Sequence, residues 1–75
     1  MASKWELREA LDSWYGRLAD LIEDIQDAGY DVEEANEEYI TASYEDGDAT
    51  VYLDLRLGGT ARTITVDSIR EIERI

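Results

Sequence analysis

The sequence predicts an α+β fold of order α-β-β-β-α: a three-stranded antiparallel meander, with helix 1 and a short C-terminal helix packed on one face. Three observations carry this. An apolar stripe at helical spacing runs through the first third, strict alternation takes over at Glu38, and helical spacing returns after Ser68. The 75 residues make one domain, 1–75, with no room for a second core.

The first helix is expected over about residues 4–28. Ser3 with Glu6 forms a capping box. Leu7, Leu11, Trp14, Leu18, Leu21, Ile22 and Ile25 then recur on one face. Gly16 interrupts this stripe at a cost of about 1 kcal/mol, which the apolar face is expected to outweigh. Gly29 suits a left-handed C′ position, with Tyr30 folding back on Ile25 in a Schellman contact. Trp5 and Trp14 are read as core or core-edge side chains. Residues 30–37 read as an acidic loop with at most one turn.

From Glu38 the period is two. Ile40, Ala42 and Tyr44 alternate with Tyr39, Thr41 and Ser43, and Val51, Leu53, Leu55 and Leu57 alternate with Thr50, Tyr52, Asp54 and Arg56. Asp46-Gly47 is a two-residue hairpin signal that would pair 44 with 49, 42 with 51 and 40 with 53. Gly58-Gly59 offers a second tight turn, pairing 53 with Ile64 and 51 with Val66, and setting Arg62 opposite Leu55 on the inner face. Ser68 with Glu71 forms a second capping box, opening the terminal helix with Ile69, Ile72 and Ile75 inward.

Composition excludes much chemistry. With no Cys and no His, there are no disulfides, thiol nucleophiles, zinc fingers or imidazole bases. No carboxylate pair lies beside an apolar run or nucleophile that would tune it, so no enzyme and no cofactor are expected. No apolar run reaches the roughly 20 residues of a membrane span, and the N-terminus lacks a signal-type stretch, so a cytoplasmic protein is expected.

Nineteen acids against seven bases give a net charge of −12. That argues against direct binding to nucleic acid or anionic membrane and favours a basic partner. The charge is localised. Residues 1–17 are neutral, residues 56–75 carry +1, and residues 18–55 hold thirteen acids and no base.

The candidate partner-binding residues form a belt: Asp20, Glu23, Asp24 and Asp27 on the helix, Asp31, Glu33, Glu34, Glu37 and Glu38 after it, and Glu45, Asp46 and Asp48 around the hairpin turn. Asp24 and Asp27 oppose the helix dipole, and Asp20/Asp24 and Glu23/Asp27 are like-charge i,i+4 pairs, each costing a few tenths of a kcal/mol. Carboxylates three or four apart on a helix lie about 5–6 Å from each other, near the spacing of phosphates along a strand. Such a row suits a Lys/Arg groove built for a nucleic-acid backbone. Calcium at Glu45, Asp46 and Asp48 is disfavoured, because the spacing departs from an EF-hand loop and the hairpin already explains Asp-Gly.

A secondary interface is expected on the uncovered sheet face: Tyr39, Thr41, Tyr52, Asp54, Arg56, Thr63 and Thr65. Tyr52 would lie cross-strand from Thr41 and Thr65, and Tyr39 and Tyr52 are its aromatic anchors, serving a partner or a homodimer. Two rival uses of the chain stay open. One is acidity serving solvation in a high-salt cytoplasm, which fits one Lys against six Arg. The other is self-assembly through the open face or a strand edge.

In size and in the concentration of acids over 18–55, the chain resembles the small acidic inhibitors encoded by phages and mobile elements, nearest the anti-CRISPR proteins that act as DNA mimics. The resemblance implies that residues 20–38 and 45–48 meet Lys and Arg in the nucleic-acid channel of a CRISPR effector.

Overall fold

A computed structural model describes residues 4–60 and 62–75. Five strands and two helices follow in the order α1 (Lys4–Leu11), β1 (Tyr15–Gly16), α2 (Leu18–Asp27), β2 (Asp31–Ala35), β3 (Tyr39–Asp46), β4 (Ala49–Gly59) and β5 (Ile64–Arg74). The strands form one antiparallel sheet in the order β1-β5-β4-β3-β2, curved into a half-barrel. The three-stranded meander is therefore corrected to five strands, and the C-terminal helix to a strand.

The expected single helix over 4–28 is two helices. At Gly16 the backbone takes φ 154°, and a Cβ there would lie 2.9 Å from the Trp14 ring, so only glycine lets the chain turn under that indole. Tyr15 and Gly16 then pair with Thr65 and Ile64 of β5. The Trp14 indole N–H donates to Asp24 Oδ2 at 3.0 Å, fastening the break to α2. The apolar stripe survives the break, with Leu7 and Leu11 from α1 and Leu21 and Ile25 from α2 all buried. Such a stripe reports burial, not continuity. Ser3 of the first capping box lies outside the described residues.

The helix-2 terminus is the expected Schellman motif. Tyr30 N–H donates to Ile25 O, Gly29 N–H donates to Gln26 O, and Gly29 has φ 101°.

Residues 31–35 are strand β2, where a loop was expected. Val32 and Ala35 pack against the core, while an irregularity between Val32 and Glu34 turns Asp31, Glu33 and Glu34 outward. Asn36 closes the following turn, its Oδ1 accepting from the N–H groups of Glu38 and Tyr39.

Both expected hairpin registers shift while keeping the same faces inward. The β3–β4 turn is Gly47-Asp48, with Asp46 opposite Ala49, Tyr44 opposite Val51, Ala42 opposite Leu53 and Ile40 opposite Leu55. Only Gly47 has positive φ there, which matches a turn with glycine at its first central position. Gly58 and Gly59 lie inside β4, not in a turn. Gly59 pairs with Ile64 and Leu57 with Val66, and Arg62 is exposed in the connecting loop instead of opposite Leu55. A Cβ on Gly59 would overlap the Thr63 carbonyl, so glycine is needed where the hairpin closes tightly.

Between Arg56 and Leu57 the β4–β5 register shifts by one residue, leaving Asp67 as the bulge. Inward-facing β5 residues are therefore Ile64, Val66, Ile69, Glu71 and Glu73. Both helices cover this inner face, and the core joins Leu7, Leu11, Leu21 and Ile25 to Ile40, Leu53, Leu55 and Ile64.

Candidate functional site

The twelve belt carboxylates are exposed without exception, but the fold divides them into three groups. Asp20, Glu23, Asp24 and Asp27 belong to the helix layer, with Asp24 and Asp27 lining a groove against Glu6, Leu7 and Ala10 of α1. Asp31 and Glu34 stand opposite Ser43 and Thr41, so they belong to the open face of the sheet. Ser43 donates to Glu33 Oε1 at 2.6 Å, which fixes Glu33 on that side too. Glu45, Asp46 and Asp48 extend from the far end of the β3–β4 hairpin, beyond the Asp31–Ser43 pair, whereas Glu37 and Glu38 occupy the turn at β2's other end. The twelve thus fall on two layers, the helix layer and the open face beside β2, and at the two hairpin ends.

Among the described residues none of these twelve takes part in a salt bridge. The ion pair present joins Arg8 to Glu71 at 3.0 Å, on the opposite side of the sheet. Among the described residues no group of three or more carboxylates is arranged to hold a metal.

The open face contains a shallow cleft of about 340 Å³ lined by Tyr39, Thr41, Asp54, Arg56, Ser68 and Arg70 among others. The Tyr39 hydroxyl donates to Glu34 Oε1, and the Arg56 guanidinium sits 5.9 Å from its ring centroid. That hydrogen bond to the carboxylate, with burial a smaller cause, raises the Tyr39 phenol above its ordinary value. Tyr52 lies between Ser43 and Ile72, not between Thr41 and Thr65. Thr65 pairs with Gly58, and Thr63 is in the loop. Both tyrosines are half-buried by their strand neighbours, so the face is less prominent than its sequence suggests.

Sequence reasoning missed the opposite edge. Trp5 is 72% exposed and not a core residue, Tyr15 is 75% exposed, and β5 runs past β1 with no further strand neighbour among the described residues. Only the strandedness of residues 68–74 exposes this feature, and the helical reading concealed it.

Fold and surfaces together define a small acidic α+β domain with a five-stranded sheet covered on one face and two chemically unlike edges. No family model matches the chain, and no curated protein and no solved structure matches it either. Among the described residues no helix is long and apolar enough to cross a membrane.

Proposed function

We propose that this chain is an acidic binding protein that docks on a basic surface of another protein, of the kind that holds a nucleic-acid backbone. One observation carries the reading: among the described residues twelve exposed carboxylates, spread over α2, the β2 side of the open face and the two hairpin ends, take part in no salt bridge, while Arg70 and Arg74 stand on β5, away from β2. Unneutralised charge on a domain this small costs stability through self-repulsion and yields fast, salt-sensitive association with a cationic groove. Obstruction of nucleic-acid binding by the partner is the functional consequence, in the manner the DNA-mimic resemblance implies.

The test reverses Asp20, Glu23 and Asp27 together to Lys. Asp24 is left intact because it accepts the Trp14 indole bond. Wild-type protein immobilised at low ionic strength is expected to capture a cationic protein that elutes with salt. The triple variant, still folded by circular dichroism, is expected to capture none. Undiminished salt-sensitive capture by the variant would overturn the proposal. Acidity as solvation in concentrated salt is the competing reading, favoured by the single Lys against six Arg.

A further inference from the structure

We infer that the free edge of β5 is a docking site for an extended segment of a different protein, added as a strand that continues the line of β1. β1 pairs with Ile64 and Thr65 alone, so among the described residues one side of β5 has no strand neighbour from Val66 to Arg74, with Arg8 and Asp12 beside 66–69 and the stretch 70–74 beyond them, although its other side is paired to β4 almost throughout. A row of unpaired backbone donors and acceptors is a template for strand addition.

The apolar surface of the molecule gathers at the same place. Among the described residues the exposed large apolar side chains are Trp5, Tyr15 and Ile75. Tyr15 sits on β1 opposite Thr65, and Ile75 directly follows β5. The helix periodicity of α1 places Trp5 on this side as well. Leu7 and Leu11 point into the core, and Glu6 and Ala10 line the groove toward α2. Arg8 and Asp12 face Ser68 and Ile69, and Trp5, one turn before Arg8, shares a recess with Arg8 and Glu71. Three apolar anchors therefore flank one unpaired stretch of backbone.

The charge pattern decides against a second copy as the occupant. In antiparallel two-fold pairing of β5 with itself, a register centred on Glu71 sets Glu71 against Glu71. One centred on Ile72 sets Arg70 against Arg74 and Glu71 against Glu73. Those centred on Arg70 or Glu73 oppose each residue to its own copy. Like charges directly opposite are destabilising, and inward-pointing charges are a device that blocks edge-to-edge pairing. The same pattern selects an unlike strand: a cation opposite Glu73 and beside Glu71, whose carboxylate already meets Arg8 and Tyr30, acids opposite Arg70 and Arg74, and apolar residues opposite Ile69 and Ile72. The β2 edge offers no such template, being short, bulged and acidic.

This site stands apart from the acidic belt, and the probe keeps the two separable. A net-neutral acetylated and amidated peptide, Thr-Glu-Lys-Val-Lys-Glu-Val-Thr, supplies the complementary alternation in antiparallel register. Titrated into the full chain, it is expected to shift the backbone amides of residues 67–75 and the ring signals of Trp5 and Tyr15. Methylating alternate peptide amides, or exchanging its Lys and Glu, is expected to weaken binding at least tenfold. In a Glu73→Lys/Arg74→Glu variant the affinities of the original and charge-exchanged peptides should draw together to within threefold. The triple Lys variant of the belt should bind the original peptide as wild type does. The inference is overturned by shifts confined to residues 31–38, by no shifts at millimolar peptide, or by indifference to N-methylation. Sedimentation as a dimer with the β5 amides already protected would also overturn it, since the occupant would then be a second copy.

Discussion

Glu71 shows how a single residue can violate the inward-apolar rule and be retained. Its carboxylate faces the helices from β5, where Arg8 Nη1 approaches Oε2 at 3.0 Å and the Tyr30 hydroxyl donates to the same oxygen at 3.2 Å. The Tyr30 ring meets Tyr44 edge-on at 5.0 Å, and Lys4 Nζ lies 4.3 Å from the Tyr44 centroid. Burial first, and the neighbouring Glu71 charge second, push the Tyr30 phenol well above its ordinary value near 10. The unfolded chain therefore ionises this phenol before the folded one does. Its contribution to stability is complete below pH 10 and is lost as pH rises through 10 and beyond. Tyr30→Phe is expected to cost about 1 kcal/mol at neutral pH, where the hydrogen bond to Glu71 is intact. Above pH 10 the wild type should lose stability faster than the variant, and the two should converge and then cross. Urea midpoints across pH 7–12 check this. Parallel decline of the two proteins would mean that Tyr30 is not the linked group.

At the scale of elements, β5 is the instructive case. Ile69, Ile72 and Ile75 recur at spacing three behind a Ser-x-x-Glu pattern, yet eight residues are too few to sustain a helix without tertiary help, and isoleucine favours a pleated surface. An eleven-residue β4 with buried Val51, Leu53 and Leu55 needs a partner over its first half, and residues 68–74 are that partner. Ending the chain at Asp67 would remove a terminal appendage if those residues were a helix. Since they pair with Thr50–Arg56, the truncated chain is expected to lose near-ultraviolet circular dichroism and amide dispersion altogether. Persistence of a folded spectrum would contradict the strand assignment. The unexpected strand β2 and the unexpected second half of β5 share a cause. Alternation breaks at the β2 irregularity and at the Asp67 bulge, and each break resets which residues face inward. Unbulged β3 and the alternating stretch of β4 were legible, as was the Gly29 helix terminus. The helix break at Gly16 was not, because Trp14, Leu18 and Leu21 keep helical spacing across it. The exposure of the twelve carboxylates could be read from charge alone. Their division between helix layer and open face could not, because the faces of Glu33 and Glu34 depend on an irregularity that composition does not encode.

Across the whole molecule, charge varies along the sheet: carboxylates without a cation crowd β2 and its flanking turns, whereas on β5 Arg70 and Arg74 are interspersed with Asp67, Glu71 and Glu73. With a net charge of −12 and no salt bridge on the acidic side among the described residues, the folded state carries a repulsion that its own cations do not relieve. Mobile ions relieve it instead, because the screening length falls from about 30 Å at 0.01 M to about 3 Å at 1 M salt. The domain is expected to be folded in dilute buffer, held by the apolar core shared between the two helices and strands β2 to β5. Its thermal midpoint is expected to rise with added sodium chloride by roughly 4–8 °C, the equivalent of about 1 kcal/mol for a domain of this size. Reversal of Asp20, Glu23 and Asp27 to Lys should remove most of that dependence by supplying the missing cations within the belt. Circular dichroism in dilute buffer and thermal melts across salt concentrations read both outcomes. A coil spectrum without salt would shift the balance to the solvation reading, in which the carboxylates organise hydrated ions and await no partner. A flat midpoint would show that the acids are too far apart to repel, which would also remove the charge density on which a cationic groove could close.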